Sequence, residues 1–265
     1  SFSGRGAAPV FDASVPAAKL WDGRTFAPVE PDNARSLRLA VPDGPAGGAP
    51  YGGEVVVPGS ERFASPASFT VEAFVKVARK TGRHALVASK RRNGQNGASW
   101  SLSLLPSGAL GARFDTQPGA ANRGDGFNQC WGSGTALDDG AWHHVALTYD
   151  AATREASLYA DYVKVGGGAL RGALIYDASD LVLGRGLDGW FDEVRLTDAP
   201  LHPEQFLRAA RFFSDLKPRV ASVALLDQTP TRVQSAVKPG LKRIGTLSPK
   251  RADEIATPMW SLGCE

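Results

Sequence analysis

Cysteine occurs only twice in the 265 residues, at Cys130 and Cys264. Two cysteines do not make a disulfide scaffold, and neither has metal-ligand spacing to another Cys or to a His. Whether they pair with each other stays open, since one lies mid-chain and the other beside the last residue. Charge of one sign is also scarce. A net charge of +3 points neither to a polyanion binder nor to a disordered acidic chain. No apolar run approaches the roughly 18 residues that a membrane-spanning helix needs, so no membrane span is expected.

What is present is the composition of a soluble globular protein, 43% hydrophobic and 22% charged, with enough apolar material for a core that needs no staples. Thirty glycines and eighteen prolines are many for a helical protein, and too few and too aperiodic for collagen. They suit short strands joined by turns. The length lies between one large all-β domain and two ordinary ones.

The middle of the chain reads as β throughout. In Phe69–Val77 the odd positions Phe69, Val71, Ala73, Val75 and Val77 are apolar and the even ones mostly polar, with Phe74 the exception. That period of two is a strand with one buried face. Similar runs cover 37–41, 54–57, 84–90, 100–105, 109–115, 142–149, 156–163, 181–183 and 191–196. Turn residues punctuate them: Pro106-Ser-Gly108 is short enough for a hairpin, Asp138-Asp-Gly140 opens the strand begun by Trp142, and 150–154 links the next two. No helical segments alternate with these strands, which excludes a doubly wound α/β fold. The expected fold is all-β, a sandwich of two antiparallel sheets.

One short helix is expected after the last core strand. Pro203 suits its N-terminus, Glu204 its first turn, and Phe206, Leu207, Ala210 and Phe213 recur at helical spacing. From Asp215 the chain turns basic and proline-rich, with one strand-like run at 220–226. The expected organisation is an N-terminal extension over 1–35 packing on the sandwich, the sandwich over 36–214, and an irregular linker over 215–265. Because the chain opens on Ser1 without an apolar leader and closes on Trp260-Ser-Leu-Gly-Cys-Glu265, it reads as a piece of a longer protein with a further domain downstream.

Three stretches together carry a resemblance: Phe69-Thr-Val-Glu-Ala-Phe-Val-Lys76, Asp139-Gly-Ala-Trp-His-His-Val-Ala-Leu-Thr-Tyr-Asp150, and Gly189-Trp-Phe-Asp-Glu-Val-Arg-Leu-Thr-Asp-Ala-Pro-Leu-His-Pro-Glu204. In order and spacing they resemble the laminin G-like/concanavalin A-like lectin superfamily, over about residues 36–212. The resemblance implies a jelly roll, often one module of a secreted or surface protein, that binds glycans or other ligands and often accompanies glycoside hydrolases.

The same fold also carries hydrolases. A retaining glycosidase needs two carboxyl groups about 5–5.5 Å apart, and resembling hydrolases meet this with a Glu-x-Asp-x-Glu-like run. No such run occurs here; Asp192-Glu193 and Asp138-Asp139 are adjacent, and strand neighbours point to opposite faces. A cross-strand pair involving Glu72 or Asp161 is the remaining route, and no residue is assigned as catalytic. If Trp190, Val194 and Leu196 face the core, Asp192 does too. A buried carboxylate needs hydrogen bonds or a metal, so Asp192 is either bonded to a nearby turn or, as the resemblance implies, a ligand of a structural Ca2+. His143 and His144 point to opposite sides of a strand and read as structural. No Gly-x-Ser-x-Gly elbow appears.

The Gly-rich segment 117–134 is the leading ligand candidate. Sugars are held by aromatic stacking and by polar groups around their hydroxyls, and this segment brings Phe127 and Trp131 together with Arg123, Asp125 and Asn128. Arg92, in the polar loop 91–97, is a second candidate, facing an anionic glycan. The basic residues of the tail lack interleaved aromatics, so no nucleic-acid partner is expected. The sequence therefore reads as a secreted or cell-surface, non-catalytic carbohydrate-binding or adhesion module attached to a glycoside hydrolase. The alternatives are a glycoside hydrolase or polysaccharide lyase fragment, and a structural brace for a neighbouring catalytic domain.

Overall fold

The computed structural model describes residues 2–3, 8–42, 52–59, 68–91, 98–116, 127–131, 136–174 and 179–209. The chain divides into two units, Ser1–Ala209 and Ala210–Glu265, and every described residue belongs to the first. Phe213, the strand-like run 220–226 and Cys264 lie outside the described residues.

In chain order the strands are β1 (Phe2–Ser3), β2 (Val10–Asp12), β3 (Trp21–Asp22), β4 (Ala27–Pro28), β5 (Ser36–Leu39) and β6 (Glu54–Val57). Next come β7 (Phe69–Val77), β8 (Ala85–Arg91), β9 (Ala98–Leu104), β10 (Leu110–Asp115), β11 (Phe127–Trp131) and β12 (Trp142–Asp150). The last are β13 (Glu155–Ala160), β14 (Val163–Ala169), β15 (Leu181–Leu183), β16 (Gly189–Thr197) and β17 (Leu207–Arg208). They form two seven-stranded antiparallel sheets, ordered β1-β6-β15-β8-β9-β10-β11 and β14-β13-β12-β7-β16-β5-β2, and a small sheet β17-β3-β4.

The alternation read from the sequence sets the core. Val71, Ala73 and Val75 of β7, Val145 and Leu147 of β12 and Leu158 of β13 meet Trp100, Leu102, Leu110 and Phe114 of the facing sheet, all buried. Each large side chain fully removed from water contributes about 1.5–3 kcal/mol. Phe69 stacks on Trp100 at 4.9 Å between ring centres, tying the sheets together. The Pro106–Gly108 hairpin forms as expected: Gly108 takes a φ of 88° and its N–H donates to the Leu105 carbonyl.

The outer face of the second sheet is not bare. Residues from β3, β4 and the segment around β17 lie across it as a third layer, with Leu20, Phe74 and Leu207 in one cluster and Ala146, Tyr159, Leu201 and Phe206 in another. Gly23 lets this layer close, because a Cβ there would stand 2.1 Å from the Glu204 carbonyl oxygen.

Four sequence expectations change. The helix after Leu201 is a single 3-10 turn, Pro203–Gln205, followed by extended backbone: Phe206 is captured by the second cluster and Leu207 pairs with Asp22. Tertiary capture of two large side chains overrides the helical spacing. The run 156–163 is interrupted at Asp161 and Tyr162, whose φ values of 46° and 70° reverse the chain into β14. Phe127–Trp131, absent from the strand-like runs of the sequence, is a strand. On β16 it is Phe191 that enters the core, while Trp190 faces the opposite side and Leu196 is exposed.

Candidate functional site

The strand β11 closes one edge of the first sheet. Its register sets Phe127 opposite Asp115, Gln129 opposite Arg113 and Trp131 opposite Gly111. Positions 127, 129 and 131 share one parity and so fall in one line along the edge, beside the charged residues of β10. Asn128 has the other parity, opposite the fully buried Phe114. The expected ligand residues Phe127, Asn128 and Trp131 are thus placed on one strand but not in one line. Arg92, Arg123 and Asp125 lie outside the described residues.

Among the described residues the buried carboxylates are each occupied. Glu72, fully buried on the outer side of β7, accepts hydrogen bonds from Arg195 Nε at 2.6 Å, His144 Nε2 at 2.8 Å and the Leu207 amide at 2.8 Å. His144 is boxed by aromatic rings, stacked on Tyr162 with 4.6 Å between ring centres and near Phe206 and Phe74. Asp188 takes Arg38 on one oxygen and Arg79 on the other, at 2.8 and 2.9 Å. A carboxylate saturated by cations and amides is poorly placed to trade protons with a substrate.

The two histidines part as the strand geometry requires. His144 meets Glu72, whereas His143 sits between Asp161 Oδ2 at 2.7 Å from Nδ1 and Asp139 Oδ1 at 2.9 Å from Nε2. These carboxylates lie on opposite edges of the imidazole, so the trio cannot close on one metal ion. The hydrogen bond to Asp161, opposed by burial and reinforced by Asp139, pushes His143 up to about 9. At neutral pH it is an imidazolium that fastens the turn before β12 to the turn after β13.

Asp192 lies on the outer face of β16 with Trp190, not on the core side as the sequence suggests. A bulge at Glu193, with φ of 45°, follows it. Its Oδ2 accepts Asn33 Nδ2 at 2.8 Å and its Oδ1 the Glu193 amide at 3.0 Å. Burial, only partly offset by Asn33, pushes the carboxyl up to about 6. Calcium takes about six to eight oxygen ligands, and among the described residues no group of three His, Cys, Asp or Glu is arranged for a metal ion.

Two antiparallel sheets packed face to face, with Glu72 engaged by a third layer over the second sheet, are the scaffold to be compared with known proteins. Residues 48–206 match the family Laminin_G_3, described as the concanavalin A-like lectin/glucanases superfamily, and the chain belongs to it. No curated protein matches the sequence. Among solved structures, that of botulinum neurotoxin type C, a toxin whose cell entry depends upon interaction with two ganglioside molecules, aligns with a TM-score of 0.53 and 10% identity. It covers 77% of this chain, while this chain spans under half, 44%, of the toxin chain. The Ruminococcus gnavus IT-sialidase CBM40 aligns at TM-score 0.43 and 12% identity, covering 57% of this chain and 92% of its own. Domains LG4-5 of the mouse laminin alpha1 chain align at 0.43 and 16%, covering 57% and 40%.

Proposed function

We propose that this protein is a non-catalytic carbohydrate-binding module of a secreted or cell-surface multidomain protein. The observation that carries the reading is the edge strand β11, which sets Phe127, Gln129 and Trp131 in one line beside Arg113 and Asp115. Aromatic and hydrogen-bonding positions alternate there, the combination that grips a sugar ring and its hydroxyls. The dependence of botulinum neurotoxin type C on gangliosides supports a glycan as ligand on this fold. Engagement of Glu72 by three donors weighs against the glycosidase alternative. In this reading residues 215–265 form a linker to a glycoside hydrolase domain, and the module raises local substrate concentration for it.

Calorimetric titration against neutral and acidic polysaccharides tests the proposal, with and without a calcium chelator. Saturable binding without product, weakened by Trp131→Ala, is the expected result. No binding to any polysaccharide by folded protein overturns it. Release of reducing ends would return the weight to an enzyme.

A further inference from the structure

β2 ends the second sheet, and among the described residues its backbone pairs only with β5. Its two apolar side chains stay in water, Val10 at 57% and Phe11 at 71% exposed. Phe11 is the register partner of Leu37, which packs against the core, and Val10 is that of Arg38 on the outer face. An aliphatic and an aromatic side chain therefore project from opposite faces of a strand with an open edge. Proteins ordinarily blunt such an edge with charge, proline or a covering segment. Here Pro9 precedes the strand and Asp12 ends it, while Phe11 between them is the most exposed large apolar side chain among the described residues.

These flanking residues restrict what the edge accepts. An antiparallel self-pair centred on Asp12 would set two carboxylates directly opposite one another, which is destabilising. Centring on Val10 would set Phe11 against Pro9, a residue unsuited to a ladder. Centring on Phe11 sets the ring beside its own symmetry mate and Asp12 opposite Val10 of the other copy. Asp12 then extends the outer row that runs from Val10 through Arg38 and Trp190 to Lys76. An acid meets the end of a row of cations, roughly 10 Å, or two strand spacings, from Arg38.

We infer that β2 is the interface through which two copies of this chain pair, antiparallel about Phe11, so that the second sheet of one continues into that of the other. The contact is isologous: every interaction occurs twice, each copy closes the other's open edge, and assembly stops at two. An arbitrary extended peptide would gain only the backbone bonds of three residues. A second copy adds the mutual burial of both Phe11 rings and both Val10 side chains, with aromatic contact across the axis.

The pairing leaves the other edge of the sandwich free. β11 lies close to β14, and Thr116, just after β10, bridges Leu174. β11 thus stands at the side of the sandwich away from β2, and a dimer through β2 carries its two β11 strands at opposite ends. On the carbohydrate-binding reading such a dimer is bivalent, and its hold on a polymeric ligand exceeds that of either copy alone.

Sedimentation equilibrium of the 265-residue chain, from low to high micromolar concentration, tests the inference without any glycan, so its outcome stands apart from that of the proposed function. The expected mass rises to twice the chain's 27.9 kDa and no further. Phe11→Lys, at an exposed position and checked for native circular dichroism, should weaken the dimer about a hundredfold or more. Val163→Lys, at a position 64% exposed on the sheet's other edge strand β14, should leave it unchanged. Hydrogen exchange of wild type gives a readout free of substitutions: the amides of β2 should gain protection as concentration rises, and those of β14 should not. A single-chain mass at every concentration overturns the inference, as does a dimer that survives Phe11→Lys or is lost with Val163→Lys. Mass that keeps growing beyond two chains overturns the closed, two-fold pairing.

Discussion

Glu72 Oε1 accepts the Nε–H of Arg195 at 2.6 Å, and the same guanidinium reaches Asp22 Oδ1 at 2.6 Å and the Gln205 carbonyl at 2.8 Å. One arginine of β16 thereby ties a carboxylate of the sandwich to β3 and to the segment before β17. Breaking a buried pair by removing one partner costs far more than the pair's net contribution, because the surviving charge is left uncompensated.

Glu72→Gln is therefore expected to destabilise the fold by about 3–5 kcal/mol, a large share of the roughly 5–15 kcal/mol of a typical domain. Its amide also turns a donor towards one of three donors that now share the carboxylate. Urea unfolding should show the midpoint falling with little change of slope. A loss below about 1 kcal/mol would mean that Asp22 alone satisfies Arg195.

The sandwich itself was legible because burial writes itself into the period of a strand. Phe69, Val71, Ala73, Val75 and Val77 all enter the core as their alternation predicts. What was illegible depended on register or on long-range capture. Trp190 is a large apolar residue, yet its ring is held outside the core by Lys76 and Arg38, partners 114 and 152 positions away in the chain. The bulge at Glu193 resets the parity of β16, so no single alternation describes it. Phe206 and Leu207 suit a helix until the clusters under them are known. For the candidate site, the sequence picked out Phe127 and Trp131, but only pairing with β10 shows that they share a line and that Asn128 does not.

His143 carries a pH prediction. Its folded value of about 9 lies above the ordinary 6.5, through bonding to Asp161 against the pull of burial. Its contribution is complete below about pH 6.5 and is lost as pH rises through 9. The screened, half-exposed carboxylates limit this to about 1–2 kcal/mol. Proton NMR titration should find an imidazole still charged at pH 8, and His143→Gln should erase the loss of stability on the alkaline side. A midpoint near 6.5 would contradict the clamp.

For Asp192 the sign reverses. A carboxyl raised to about 6 mainly by burial disfavours the folded state once it ionises, so stability falls as pH rises from about 4 to 6. Asp192→Asn should be neutral or stabilising by about 1 kcal/mol at pH 7, with Asn33 flipping its amide to present oxygen. The gain should vanish below pH 4. Marked destabilisation at pH 7, together with a melting temperature lowered by chelator in wild type but not in the variant, would instead assign Asp192 to a bound cation.

Gly23 tests whether the third layer unfolds with the sandwich or before it. A Cβ at this position would lie 2.1 Å from the Glu204 carbonyl oxygen and 2.8 Å from that of Phe206, backbone atoms that cannot move aside alone. Gly23→Ala must push the 3-10 turn away from β3, at a cost of about 1–3 kcal/mol. Gly168 of β14 is the control, since a Cβ there meets nothing within 4 Å and alanine should be tolerated. Hydrogen exchange should then show lost protection at the Leu207 amide, which donates to Glu72, while the amides of β7 and β12 stay protected. Equal loss everywhere would mean that layer and sandwich form one cooperative unit, with the Glu72–Arg195 pair as the joint between them.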